Sequence, residues 1–148
     1  MEIAAILVSI VAIIISIVVA IIQYNTAIGI NKMNLKSVYF NEIYMKYLIY
    51  EIPNARKYIH ITFEGKLTGD DKIRNELNKM RQDSLYYLYN DELFYNKLKH
   101  RCQILEDYII ESSTKKMLGE DQTEFNNKLK EELKAIYKII NDKFLHTN

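Results

Sequence analysis

Apolar residues run without interruption from Ile3 to Ile22, IAAILVSIVAIIISIVVAII, twenty positions with no charge, no Pro and no Gly. At about 1.5 Å per residue, a helix of this length just crosses the roughly 30 Å hydrocarbon core of a bilayer. The core helix of a soluble protein would be shorter and would show a polar face, and no such face exists between Glu2 and Gln23. The run predicts a membrane span. Within it Ala5, Ser9, Ala12, Ser16 and Ala20 follow at steps of 4, 3, 4 and 4, which at about 100° per residue keeps them on one narrow face. In hydrocarbon, backbones approach closely along such small-xxx-small pairs, and helices associate that way. With no second span to cover it, the face predicts self-association or a membrane partner, with Ser9 and Ser16 turned toward a central path where several copies gather. The plainer alternative is that Ala and Ser are simply tolerated in a lone anchor.

Past the apolar run, Gln23, Ala27, Ile30 and Asn34 continue the same spacing, so the spanning helix is expected to run on, with Tyr24 at the bilayer interface and Gly29 as a hinge. Leu35, Tyr39, Ile43, Tyr47 and Tyr50 then repeat helically beside Phe40, Tyr44 and Leu48, a wide stripe that needs covering. Pro53 disfavours helical geometry at Ile52, which predicts a helix end near Glu51. The segment IPNARKYIHITF reads as a new short helix, with Pro53 in its first turn and Ala55 to Ile61 as its body. An extended IHITF is the alternative.

EGKLTGDD is the clearest loop. Asp70 is then expected to cap a helix that buries Ile73, Leu77, Met80, Ser84 and Tyr87 or Leu88, and the Asn90–Asp91 pair closes it and caps the next. That next helix turns Phe94, Leu98, Arg101 or Cys102, Leu105 and Tyr108 or Ile109 inward. After a loop around Gly119, Phe125, Leu129, Leu133, Ile136, Ile140 and Phe144 mark a last amphipathic helix. The fold class expected is all-α: a transmembrane helix over 1–22, a juxtamembrane helical connector over 23–51, and a cytosolic bundle of about four helices over 52–148.

Composition and charge refine this picture only modestly. The chain begins Met-Glu with an apolar run longer than a signal peptide's, and no lipobox cysteine follows, so the run is read as retained. Lys32, Lys36 and Lys46 lie on its C-terminal side and no Lys or Arg lies on the other, which places the N-terminus outside and the body in the cytosol of a single-pass protein of the cell membrane. Some 125 residues after the span suffice for one helical domain with a modest core. The single Cys102 excludes an internal disulfide and fits a reducing compartment. A net charge of +1 gives no global field for nucleic acid. Residues 23–62 carry five basic and two acidic side chains, and residues 63–148 carry fifteen and sixteen, so the membrane-near part alone is basic, as anionic headgroups favour. The richness in Ile, Lys, Asn and Tyr matches an AT-rich bacterial genome.

Candidate chemistry is sparse. His60, His100 and His146 have no Cys or acidic neighbours at metal-binding spacing, so no metal and no cofactor is expected. Arg56-Lys57-Tyr58-Ile59-His60 resembles the Arg-to-His motif of the helical HEPN ribonucleases, but that family separates the pair by four to six residues and this chain by three. A basic surface turn is the plainer reading, and the protein is not expected to be an enzyme. Cys102 lies in an apolar stripe, as a core side chain would. Twelve Tyr stand against five Phe and no Trp, most of them at stripe positions where the ring is buried and the hydroxyl reaches the rim. Arg56, Lys57, Arg74 and Arg81 interleave with Tyr58, Tyr86 and Tyr87, and charge plus stacking of that kind suits an anionic ligand, a nucleotide or a short single-stranded oligonucleotide. For Arg81 the competing expectation is an ion pair with Asp83 or a neighbouring Glu.

The order of one uncharged span, a QYNTAIGINKMNL connector, a YFNEIYMKYLIYEIPNARKYI block and a RQDSLYYLYNDELFYNKL helix resembles the small single-pass transmembrane effectors of bacterial anti-phage defence, the Hailong-type effectors among them. The resemblance is one of architecture across most of the chain. It implies a homo-oligomer whose spans form an ion-conducting path that kills or arrests the infected cell, controlled by a nucleotide oligomer from a partner enzyme encoded nearby. Residue composition leaves a second function open, a membrane-anchored helical interaction module that tethers a partner protein.

Overall fold

The computed structural model describes residues 2–145, with the side chains of Glu2, Ala4 and Ala5 left out. The side chain of Ala5, from the small-residue stripe, and all of His146 therefore lie outside the described residues. The chain divides between Val38 and Tyr39 into two compact units.

The first unit consists of the helix α1, Glu2–Tyr39, up to Val38. One helix among the described residues is long and apolar enough to cross a membrane, and its most apolar stretch reaches a mean hydropathy of 3.1. Every described side chain from Ile3 to Val38 is exposed. The helical backbone passes through residues 23–34 without a break, Gly29 included.

The second unit is helical apart from one two-stranded hairpin, so the fold is all-α as expected. It opens with a π-helix over Phe40–Glu51, in which the N–H of the capping residue Ile52 donates five residues back to the Tyr47 carbonyl. The apolar pattern explains the wide turn. Tyr39 and Ile52, on an α-helix of about 100° per residue, would point about 140° apart, yet both pack toward the same core. A wider turn brings the pairs Tyr39/Phe40, Ile43/Tyr44 and Tyr47/Leu48 round to one side, with Tyr44 and Tyr47 all but fully buried.

The helix does not end at Glu51. It continues as α2, Ile52–Arg56, with Pro53 in its first turn. A proline at this place has no N–H for the carbonyl behind it. The Leu48 carbonyl, five residues back, is instead satisfied by the Tyr137 hydroxyl at 2.9 Å. The short helix stops at Arg56 rather than extending to Ile61. His60–Ile61 (β1) pairs antiparallel with Leu67–Thr68 (β2), Ile61 opposite Leu67, so the extended alternative describes this stretch better. Isoleucine and the buried Leu67 favour the pairing over another helical turn.

Gly69, not Asp70, occupies the cap of α3 (Asp70–Asp83), at φ 73°. A Cβ at Gly69 would lie 2.0 Å from the Tyr58 carbonyl oxygen, so no other residue fits there. Asp70 sits in the first turn and accepts from Arg74 Nε at 3.0 Å. The single helix expected from Asp70 to Asn90 is divided at Ser84, whose buried hydroxyl donates to the Met80 carbonyl at 2.6 Å, and α4 (Tyr86–Asn90) follows. Such back-bonding bends helices. Asp91 caps α5 (Glu92–Ser113) by accepting from the Phe94 N–H at 3.1 Å. The last helix, α6 (Glu120–Phe144), packs along α5. The core contains the expected Ile73, Leu77, Met80, Phe94, Leu98, Cys102, Leu105, Ile109, Phe125, Leu129, Ile136 and Ile140. At one end Tyr44, Tyr87, Phe94 and Phe144 form an aromatic cluster, with Tyr44 and Phe144 centroids 5.1 Å apart and Tyr87 and Phe94 likewise.

Candidate functional site

On α1 the residues of the expected stripe are the candidates. Ser9, Ala12, Ser16, Ala20 and Gln23 are all exposed. Ser16 donates its hydroxyl to the Ala12 carbonyl at 2.8 Å, one turn back, and Thr26 does the same to Ile22. The Ser16 proton is therefore satisfied within its own helix. The oxygen keeps lone-pair capacity toward a neighbour or a path.

The basic and aromatic residues of the second unit have separate sets of partners. Lys57 donates to Asn54 Oδ1 at 3.2 Å. Arg74 is held by Asp70. Arg81 is paired with Glu106 of α5 at 2.9 Å, while Asp83 is taken by Lys46 and by the Tyr47 hydroxyl. Burial raises the Glu106 pKa against the pull of Arg81. At Asp83 burial also pushes upward, but the bonds from Tyr47 and Lys46 outweigh it and hold the carboxylate below its ordinary range. Burial together with the Asp83 bond pushes the Tyr47 phenol up to about 12. Tyr86 stacks on Tyr39 at 5.3 Å, and Tyr87 is buried in the aromatic cluster. Lys72 stands 3.1 Å over the Tyr58 ring. Cys102 is fully buried, and desolvation raises its thiol to about 12, which suits packing and not nucleophilic attack. His60, in β1, is exposed, and its carbonyl accepts from the Thr68 hydroxyl. Among the described residues no group of three or more His, Cys, Asp or Glu is placed to hold a metal.

Arg56 is differently placed. It edges a groove of about 560 Å³ between α2 and α6. Ile52, Pro53, Leu133 and Tyr137 supply apolar surface, and Arg56, Lys130 and Lys134 supply charge, with the amides of Asn126 and Asn127 between. The guanidinium donates to Asn126 Oδ1, a neutral acceptor, and burial alone shifts its pKa downward. Among the described residues it makes no ion pair with a carboxylate.

Sequence spacing singled out Arg56 but missed Lys130 and Lys134. They are i,i+4 neighbours on α6 flanking Leu133, a pattern identical to that of a solvated helix face. It also missed Glu132, a buried carboxylate beside Arg101 Nε at 3.1 Å and Lys128 Nζ at 3.0 Å. Comparisons with protein-family models, with curated proteins and with solved structures gave no match.

Proposed function

We infer that this chain is a homo-oligomeric single-pass membrane protein that acts as a membrane-perturbing effector or ion channel in bacterial anti-phage defence. Its helical domain assembles the spans in the cytosol and senses a nucleotide or oligonucleotide signal made by a partner enzyme. What carries the reading is the exposed stripe Ser9, Ala12, Ser16, Ala20 and Gln23 on a helix apolar enough to cross a bilayer. Lone anchors have no need of one narrow small-residue face, whereas helices that meet in lipid do. Lys32, Lys36 and Lys46 on one side of the span support a cytosolic domain and an outside N-terminus, with membrane lipid around the span.

Ion flux tests the reading. Purified full-length protein in liposomes with a potassium gradient should dissipate it, and Ser16→Leu should slow the dissipation about tenfold or more by filling the small face. Liposomes that hold their gradient with wild-type protein inserted, with and without cytosolic extract from infected cells, contradict the channel. They would favour the tether, which predicts that the domain works on any unrelated span.

A further inference from the structure

The groove between α2 and α6 combines two features that separately would mean little. Its lining includes the apolar residues Ile52, Pro53, Leu133 and Tyr137, and its volume of about 560 Å³ lies within the roughly 300–1,000 Å³ of small-molecule sites. The lining also includes three cations and no carboxylate, with Glu131 next to it close enough to interact with Lys134 and Lys130. Arg56 is partly desolvated, and its hydrogen-bond partner among the described residues is a neutral amide. Lys134 is bonded to Glu131 at 2.9 Å, but both side chains are more than half exposed, and a surface pair of that kind exchanges partners at little cost. Like charges gathered beside an apolar floor repel one another and attract an anion more strongly than they would in open water.

We propose that this groove binds a small organic anion with a flat apolar body, such as an aryl phosphate, its ring on Pro53, Leu133 and Tyr137 and its charge on Arg56, Lys130 and Lys134. The floor discriminates against a bare inorganic anion, which would leave the apolar surface wet. The cations discriminate against a neutral ring. Arg56 is the principal charge partner, because its planar donors can take two anion oxygens at once and it is already partly desolvated. The Tyr137 hydroxyl is occupied by Leu48, so the tyrosine contributes its ring face and not its proton.

Binding is read on the whole chain in detergent and does not depend on how many copies assemble. The probe is phenyl phosphate, which is water-soluble and stays out of micelles, titrated by calorimetry with inorganic phosphate and phenol as separate arms. Wild-type protein should bind phenyl phosphate at least about tenfold more tightly than either fragment, and Arg56→Gln should weaken it about tenfold, the loss of one charge-assisted contact. Leu133→Ser should weaken it as well. Lys72→Gln, away from the groove, should leave it unchanged. Thermal melts confirm that each variant is folded. No heat up to about 10 mM phenyl phosphate, undiminished binding by a folded Arg56→Gln protein, or inorganic phosphate binding as tightly would overturn the proposal.

Discussion

Tyr137 and Pro53 act as one device although 84 residues separate them. The proline withdraws a donor from the helix backbone, and the tyrosine supplies one to the carbonyl left behind. Tyr137→Phe should therefore cost about 1–2 kcal/mol, the price of an unpaired part-buried acceptor, seen as a lower thermal midpoint. Adding Pro53→Ala should restore part of that loss, because residue 53 regains an N–H. If the two substitutions simply add, the exchange of donors is not what holds this turn. Asp91 serves twice, capping α5 and pairing with Lys143, and the bond from Lys143 holds its carboxyl below the ordinary range. A depressed carboxylate stabilises the fold above its unfolded pKa of about 3.9 and loses that contribution as pH falls through the folded value. Asp91→Asn keeps a capping side chain but not the charge. It should lower the midpoint at pH 7 and show a shallower further loss below about pH 4 than wild type. Parallel acid limbs would argue against the pair.

At the level of elements, helices α3, α5 and α6 were legible because their apolar residues recur at 3.6-residue spacing, and each expected stripe is buried or packed on the core. The π-helix was not legible. Tyr39, Ile43 and Tyr47 fit an α stripe well enough, and only the need for Ile52 on the same side distinguishes the wider turn. The end of α2 was misjudged for a similar reason. His60 and Ile61 pair with residues beyond the EGKLTGDD loop, a partner that no local pattern specifies. Glycines also divide by context. Gly69→Ala should destabilise the domain by more than about 1 kcal/mol, since its Cβ would overlap the Tyr58 carbonyl and its φ is positive. Gly29→Ala, with nothing within 4 Å of the added Cβ, should leave the fold intact and firm α1. Equal midpoints for the two variants would refute the contrast. On the span, Ser9→Leu and Ser16→Leu should each break assembly in detergent, as loss of close backbone approach requires.

For the molecule as a whole, the N-terminal helix was legible from its length and absence of charge, and a helix long and apolar enough to cross a membrane needed no tertiary information to be expected. The candidate ligand groove was only fractionally visible. Arg56 was marked by its aromatic neighbours in sequence, but the lysines that share its groove come from α6, more than seventy residues away, and become relevant only once α2 packs beside that helix. Arg74 and Arg81, marked by the same reasoning, are each paired with a carboxylate. The difference is that the fold gives Arg74 and Arg81 acidic partners and gives Arg56 a neutral amide. Under the two proposals the units have separate tasks, α1 meeting other spans and the helical domain holding a ligand in its groove. Assembly of the spans is the claim on which the effector reading stands. The detergent-corrected mass of the purified full-length protein, by light scattering coupled to size exclusion, tests it most directly. The account predicts a single species of several copies of the 17.5 kDa chain, and a mass of one chain would contradict it.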